Sequence, residues 1–172
     1  MNKFFKRNLY LISFILIPVF YLWHPNWLAL FGNQPYWPLF WLLPYSMING
    51  SFFGLIAGLF IGITLDALTS ASSLTQIPGL VLCGIWFGRF KACNNFWVNH
   101  FRYGLICSLG SFLCGLIYIF QISIKSLFDQ VVFFFAPAIE NVFVEVFLTG
   151  LLAPFFCSQL LRLYQSSKEK FN

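Results

Sequence analysis

A row of glycines inside an apolar segment constrains this chain more than any other feature of its sequence. Glycine recurs at every fourth position, and the acid Asp66 takes the next place in the series. In water each interior glycine would weaken a helix by about 1 kcal/mol relative to alanine. In a lipid bilayer, however, backbone hydrogen bonds must close within the segment, which favours a helix. We therefore predict a membrane helix over residues 49–67. Its glycines are Gly50, Gly54, Gly58 and Gly62.

Glycines four residues apart leave a groove into which a neighbouring helix packs closely. A second such pair, Gly84 and Gly88, lies in a later apolar segment. Two interpretations of the first row stay open: packing within the bundle alone, or presentation of Asp66 to a specific partner.

Composition places the whole chain in lipid. Of its 172 residues, 59% are hydrophobic and 9% are charged, whereas a soluble domain has about 25% charged residues. A small fold leaves much of its surface exposed and has no room to bury so much apolar area. We predict an all-α integral membrane protein with one domain over residues 1–172.

Hydropathy and turn residues divide the chain into six predicted helices. The second is short and rich in proline and tryptophan. Residues 122–137 have two open interpretations, since they could lie in the interface or enter the membrane partway. The predicted helices cover residues 8–23, 36–48, 49–67, 76–90, 103–121 and 139–163.

Basic residues set the predicted orientation. With the amino terminus in the cytoplasm, all of the 10 lysines and arginines except Lys125 fall on the cytoplasmic side, as the positive-inside rule requires. We expect a multi-pass membrane protein with both termini cytoplasmic. The basic, aromatic segment 89–102 then suits lipid headgroups, and the net charge of +5 does not indicate nucleic-acid binding.

Three acids fall at or near the predicted outer ends of helices: Asp66, Glu140 and Glu145. Acids within membrane segments are expensive and often functional, although an interfacial position lowers that cost. Both interpretations stay open for all three residues.

The sequence contains no catalytic motif and no predicted metal or cofactor site. The five cysteines include no CxxC pair, and we interpret them as small packing residues, expecting neither disulfide nor metal. Cys107 and Cys114 are seven residues apart and stack on one helix face. His24 and His100 fall on opposite sides of the predicted membrane. An enzyme is therefore not expected.

The glycine segment resembles the MreD family of bacterial rod shape-determining proteins. It reads Gly54-Leu-Ile-Ala-Gly58-Leu-Phe-Ile-Gly62-Ile-Thr-Leu-Asp66-Ala-Leu, and chain length and helix layout also fit. The resemblance implies a non-enzymatic inner-membrane adaptor that binds the scaffold protein MreC. Through MreB and peptidoglycan synthases, such an adaptor guides wall growth and maintains cell shape. The helix-packing or partner-binding residues expected here are Gly54, Gly58, Gly62, Asp66, Gly84, Gly88 and Glu145.

A second function class follows from the fold that the resemblance implies. MreD-like proteins are similar to the substrate-binding subunits of energy-coupling-factor vitamin transporters, so a vitamin-capturing subunit is the alternative. That class needs an outward pocket of polar and aromatic groups, and alanines on its first helix for docking. The predicted first helix has no alanine between residues 8 and 23, which favours the adaptor. An intramembrane enzyme is a distant third possibility.

Overall fold

The computed structural model describes residues 33–69, 75–90, 96–129 and 135–169. This part of the chain folds into five α-helices and contains no extended strand. The all-helical prediction is confirmed for these residues, while the first predicted helix, 8–23, lies outside them. The helices are α1 (Trp37–Asn49), α2 (Ser51–Leu68), α3 (Ile77–Phe87), α4 (Phe96–Asp129) and α5 (Phe135–Glu169).

Three of these helices contain segments long and apolar enough to cross a membrane: Ser51–Leu68, Phe101–Ser126 and Ile139–Leu161. The other two do not. α1 has 13 residues and α3 has 11, so they rise about 20 and 17 Å at 1.5 Å per residue, against about 30 Å of hydrocarbon. The described residues therefore support a membrane protein, but they do not support six spanning helices.

The proline- and tryptophan-rich stretch forms the centre of the bundle. α1 packs against all four other helices, and its residues Leu39, Leu42 and Leu43 are fully buried. A helix that is apolar on every side is expected in a core. Phe40 stacks on Phe156 of α5 with ring centroids 5.4 Å apart, which adds an aromatic contact between α1 and α5.

Helix ends differ from the sequence-based expectations most clearly in α3, α4 and α5. α5 covers Phe135–Glu169 rather than the predicted 139–163. α3 stops at Phe87 rather than residue 90. The N–H groups of Arg89 and Phe90 donate hydrogen bonds to the carbonyls three residues earlier, and this spacing tightens the last turn. α4 is longer than the predicted 103–121. It begins at Phe96, within the predicted aromatic loop, and continues through Lys125 to Asp129, since neither end contains a proline or glycine that would stop it.

Candidate functional site

The predicted glycines of α2 form its contact with α3. A Cβ atom built on Gly54 would collide with the carbonyl oxygen of Gly84, and one on Gly58 would collide with the carbonyl oxygen of Leu80. At Gly62 a Cβ would lie 2.8 Å from the Cα of Ile77. These distances leave no room for any side chain, so the two backbones touch.

The glycines of α3 lie on its side of the same contact, against α2. A Cβ on Gly84 would meet the Gly54 carbonyl, and one on Gly88 would meet the backbone of Ser51. Five of the six predicted glycines therefore belong to one antiparallel contact between α2 and α3, where a second helix of the same chain fills the groove. The sixth, Gly50, precedes α2 and has no atom within 4 Å of a Cβ built on it.

Asp66 lies where this contact ends. Its Oδ1 accepts a hydrogen bond of 2.9 Å from the backbone N–H of Gln76, the residue that precedes α3. Its Oδ2 is buried and has no hydrogen-bond partner among the described residues. The side chain thus ties the end of α2 to the start of α3.

Tyr36 connects that junction to the rest of the bundle. Its hydroxyl donates to the Gln76 Oε1 at 3.0 Å. Its backbone N–H donates to the Thr149 Oγ1 of α5 at 2.9 Å. The residue before α1 therefore joins the start of α3 to α5.

Three polar residues spaced by four, Asn141, Glu145 and Thr149, form what we call the α5 polar row. Each accepts a hydrogen bond from a residue of another segment. The Asn33 amide donates to the Asn141 Oδ1 at 3.0 Å, the Ser111 hydroxyl lies 3.3 Å from the Glu145 Oε1, and Tyr36 reaches Thr149. The row carries polar groups into an otherwise apolar bundle.

Glu145 is the most deeply placed charged residue of the three candidate spans. It lies six residues inside Ile139–Leu161, whereas the other acids, lysines and arginines lie within two residues of a span end. The residue as a whole is half-buried, and its Oε1 faces the Ser111 hydroxyl of α4. The residues near span ends are Asp66, Arg102, Lys125 and Glu140.

Each end of the bundle has its own polar surface. At the end with Asp66, Gln121 and the Thr75 backbone exchange two hydrogen bonds of 3.0 Å, and Glu140 is exposed. At the opposite end the Arg102 guanidinium lies 5.6 Å from the centre of the Phe90 ring.

The four described cysteines meet in two pairs of free thiols. The sulfurs of Cys83 and Cys114 are 3.6 Å apart, and those of Cys107 and Cys157 are 3.9 Å apart. No group of three or more histidine, cysteine or acidic side chains suited to a metal occurs in the described residues.

Sequence reasoning missed Tyr36, Gln76 and Thr149 as members of this network. The available signal was weak: Tyr36 lies beside a proline, Gln76 ends a polar turn, and Thr149 is a single polar residue within apolar sequence. Their convergence depends on tertiary contacts: Tyr36 and Gln76 are 40 positions apart in the sequence, and Tyr36 and Thr149 are 113 positions apart.

Comparison of the chain with protein-family models, curated proteins and solved structures finds no match.

Proposed function

We propose that this protein is a non-enzymatic adaptor of the cell-elongation machinery in a bacterial inner membrane. In this proposal it binds an MreC-like protein and links it to MreB and to peptidoglycan synthases, and so maintains cell shape. It is a multi-pass protein surrounded by membrane lipid, with both termini in the cytoplasm.

The observation that carries the proposal is the α2–α3 pair with Asp66 at its end. The MreD-like motif contains the glycines that allow α2 and α3 to pack closely and the acid at the end of that contact. A rigid pair keeps a docking surface in one geometry, which reduces the ordering penalty on binding.

The surface that we assign to the partner lies at the Asp66 end of the bundle. Glu140 and Asn141 are exposed there, and amide groups of Gln121 and Asn33 lie at the same end. Hydrogen-bonding groups at a rim suit an extramembrane partner. The glycines act indirectly in this scheme, because α3 fills their groove.

A pull-down tests the adaptor role. The tagged protein is extracted from its native membrane in mild detergent, and copurifying proteins are identified by mass spectrometry. An MreC-like protein with wall synthases supports the proposal. The Glu140→Lys variant is expected to lose that partner, whereas Leu59→Ala, on the exposed side of α2, retains it. An intact bundle that brings neither class of protein contradicts the proposal.

A second candidate, a vitamin-capturing transporter subunit, is favoured by the Tyr36 network. That network places the Tyr36 hydroxyl beside Gln76 and its backbone N–H beside Thr149, and polar groups converging beside an aromatic suit small-molecule recognition. Copurification of a transport ATPase and a retained vitamin that Tyr36→Phe releases would favour this candidate over the adaptor.

A further inference from the structure

The cysteine pair between α3 and α4 is the feature of the bundle that the proposed function leaves unused. Cys83 is fully buried and Cys114 nearly so, and their sulfurs lie 3.6 Å apart. The residues are 31 positions apart in sequence, so their proximity is created by the fold alone.

The surroundings of the pair bring the two sulfurs together. A Cβ atom on Gly79, one turn before Cys83, would lie 3.1 Å from the Cys114 sulfur. Glycine at that position therefore lets the Cys114 side chain lie against α3. The Cys83 thiol points at the same part of α4, where it lies 3.4 Å from the Gly110 carbonyl oxygen.

We propose that Cys83 and Cys114 form a modification site at which a lipid-soluble two-electron oxidant joins α3 to α4 by a disulfide. A disulfide has sulfurs about 2.0 Å apart, so these two must approach by roughly 1.5 Å. Burial among apolar side chains shields the pair from water-soluble reagents, whereas an oxidant dissolved in lipid enters from the membrane side.

The chemistry balances with a diazene as the oxidant. The Cys114 sulfur adds to one nitrogen of the N=N bond, and its proton passes to the other nitrogen. The Cys83 sulfur then attacks the Cys114 sulfur, the S–N bond breaks, and the Cys83 proton passes to the departing nitrogen. The two thiols lose two electrons and two protons, which the diazene carries away as a hydrazine.

The disulfide would join α3 to α4 near the Asp66 end of the bundle. Gly79, which lies against the Cys114 side chain, is three residues after Gln76, and Gln76 is hydrogen-bonded to both Asp66 and Tyr36. Movement of the two sulfurs toward each other therefore acts on the start of α3.

Cys107 and Cys157 serve as the matched comparison. Their sulfurs are 3.9 Å apart, both residues are fully buried, and the Cys157 sulfur lies 3.6 Å from the Phe40 carbonyl oxygen. We expect this pair to resist oxidation longer, since its sulfurs are farther apart and neither has accessible surface.

The test uses the full chain in lipid vesicles with glutathione trapped inside. A lipid-soluble diazene ester is added, free thiols are alkylated after denaturation, and peptides are identified by mass spectrometry. We expect alkylation of Cys83 and Cys114 to be lost together. A disulfide-linked peptide pair should appear whose mass is two hydrogen atoms less than the sum of the two free peptides, and a reductant should separate it into those two peptides. Cys114→Ser should abolish the linked peptide and leave Cys83 alkylated, whereas Cys107→Ser should leave the link unchanged.

Trapped glutathione shows whether the oxidant has entered the bilayer. If glutathione is oxidised while Cys83 and Cys114 of the wild-type chain remain fully alkylated, the proposal is overturned. Linkage of either residue to any other cysteine overturns it as well.

Discussion

At the scale of single residues, the tightest backbone contact at any glycine of the described chain is that between Gly54 and Gly84. Gly54 and Gly84 face each other so closely that a Cβ on either would collide with the carbonyl oxygen of the other. A backbone carbonyl cannot rotate away as a side-chain end can, so the helices themselves would have to separate.

Gly54→Ala is therefore expected to destabilise the bundle by about 1–3 kcal/mol, the usual range for overpacking. Thermal unfolding in detergent, followed by circular dichroism, measures the effect. Leu59→Ala is the matched control, because Leu59 lies on the exposed side of the same helix. A Gly54→Ala variant as stable as the wild type would contradict the backbone contact.

Glu145 gives a second prediction at this scale. A charge well inside a membrane span is costly, and the carbonyl of a glutamine still accepts a hydrogen bond from Ser111. Glu145→Gln should therefore unfold at the same temperature as the wild type or at a higher one, as measured by the same melting experiment.

Glu140→Gln controls for loss of charge at an exposed position near the span end, where substitutions usually change stability by less than about 0.5 kcal/mol. A marked fall in the melting temperature of Glu145→Gln, without one for Glu140→Gln, would show that the folded bundle requires the charged carboxylate.

At the scale of helices, the junction of α2 and α3 depends on one side chain. Asp66 accepts the N–H of Gln76, and Gln76 in turn accepts the Tyr36 hydroxyl. Asp66→Ala leaves that N–H without its acceptor, so we expect faster amide exchange at Gln76 and a loss of about 1–3 kcal/mol. Hydrogen–deuterium exchange with mass spectrometry resolves the segment.

Asp66→Asn separates hydrogen bonding from charge at the same position. Its amide oxygen still accepts the Gln76 N–H, so exchange at the junction should stay close to that of the wild type. Equal, rapid exchange in both variants would mean that the carboxylate charge, rather than the acceptor, holds the junction.

The sequence predicts helices better than it predicts their contacts. The glycine spacing indicates a close helix contact at Gly54, Gly58 and Gly62, and α3 provides it. Spacing also places Cys107 and Cys114 on one face of α4. It does not reveal that one of them reaches α3 and the other α5, because that depends on the register between helices.

Length was the least predictable property of the helices. α4 extends beyond both predicted ends. Near its carboxyl end the hydroxyls of Ser123 and Ser126 are hydrogen-bonded to carbonyls of the same helix. Charged and hydroxyl residues lower hydropathy without stopping a helix. α1 looked marginal for a membrane span, yet it forms the core because its neighbours bury it on every side.

At the scale of the whole molecule, consecutive helices from α2 to α5 run in alternating directions. Along α2, Gly54 meets Gly84 and Gly62 meets Ile77, so α3 is antiparallel to α2. Along α4, Gly104 meets Gly150 and Gly115 meets Val142, so α5 is antiparallel to α4. Thr75 and Arg89 therefore lie at opposite ends, since they flank α3.

This arrangement allows the orientation in the membrane to be tested with two engineered thiols. Thr75 and Arg89 are both exposed, and Thr75 joins Gln121 through its backbone, so its side chain can be replaced. Thr75→Cys and Arg89→Cys are each made with Cys93→Ser and treated on spheroplasts with a membrane-impermeant maleimide. The other four cysteines are buried in the bundle.

The thiol at position 75 should react on intact spheroplasts, and the thiol at position 89 only after permeabilisation. The reason is charge: Arg89 and Arg102 lie at one end, while Asp66 and Glu140 lie at the other, and basic ends stay in the cytoplasm. Reaction of both thiols from one side would contradict the alternating helices. The reverse pattern would keep the fold but move the Asp66 surface to the cytoplasm, where a periplasmic MreC-like domain could not bind it.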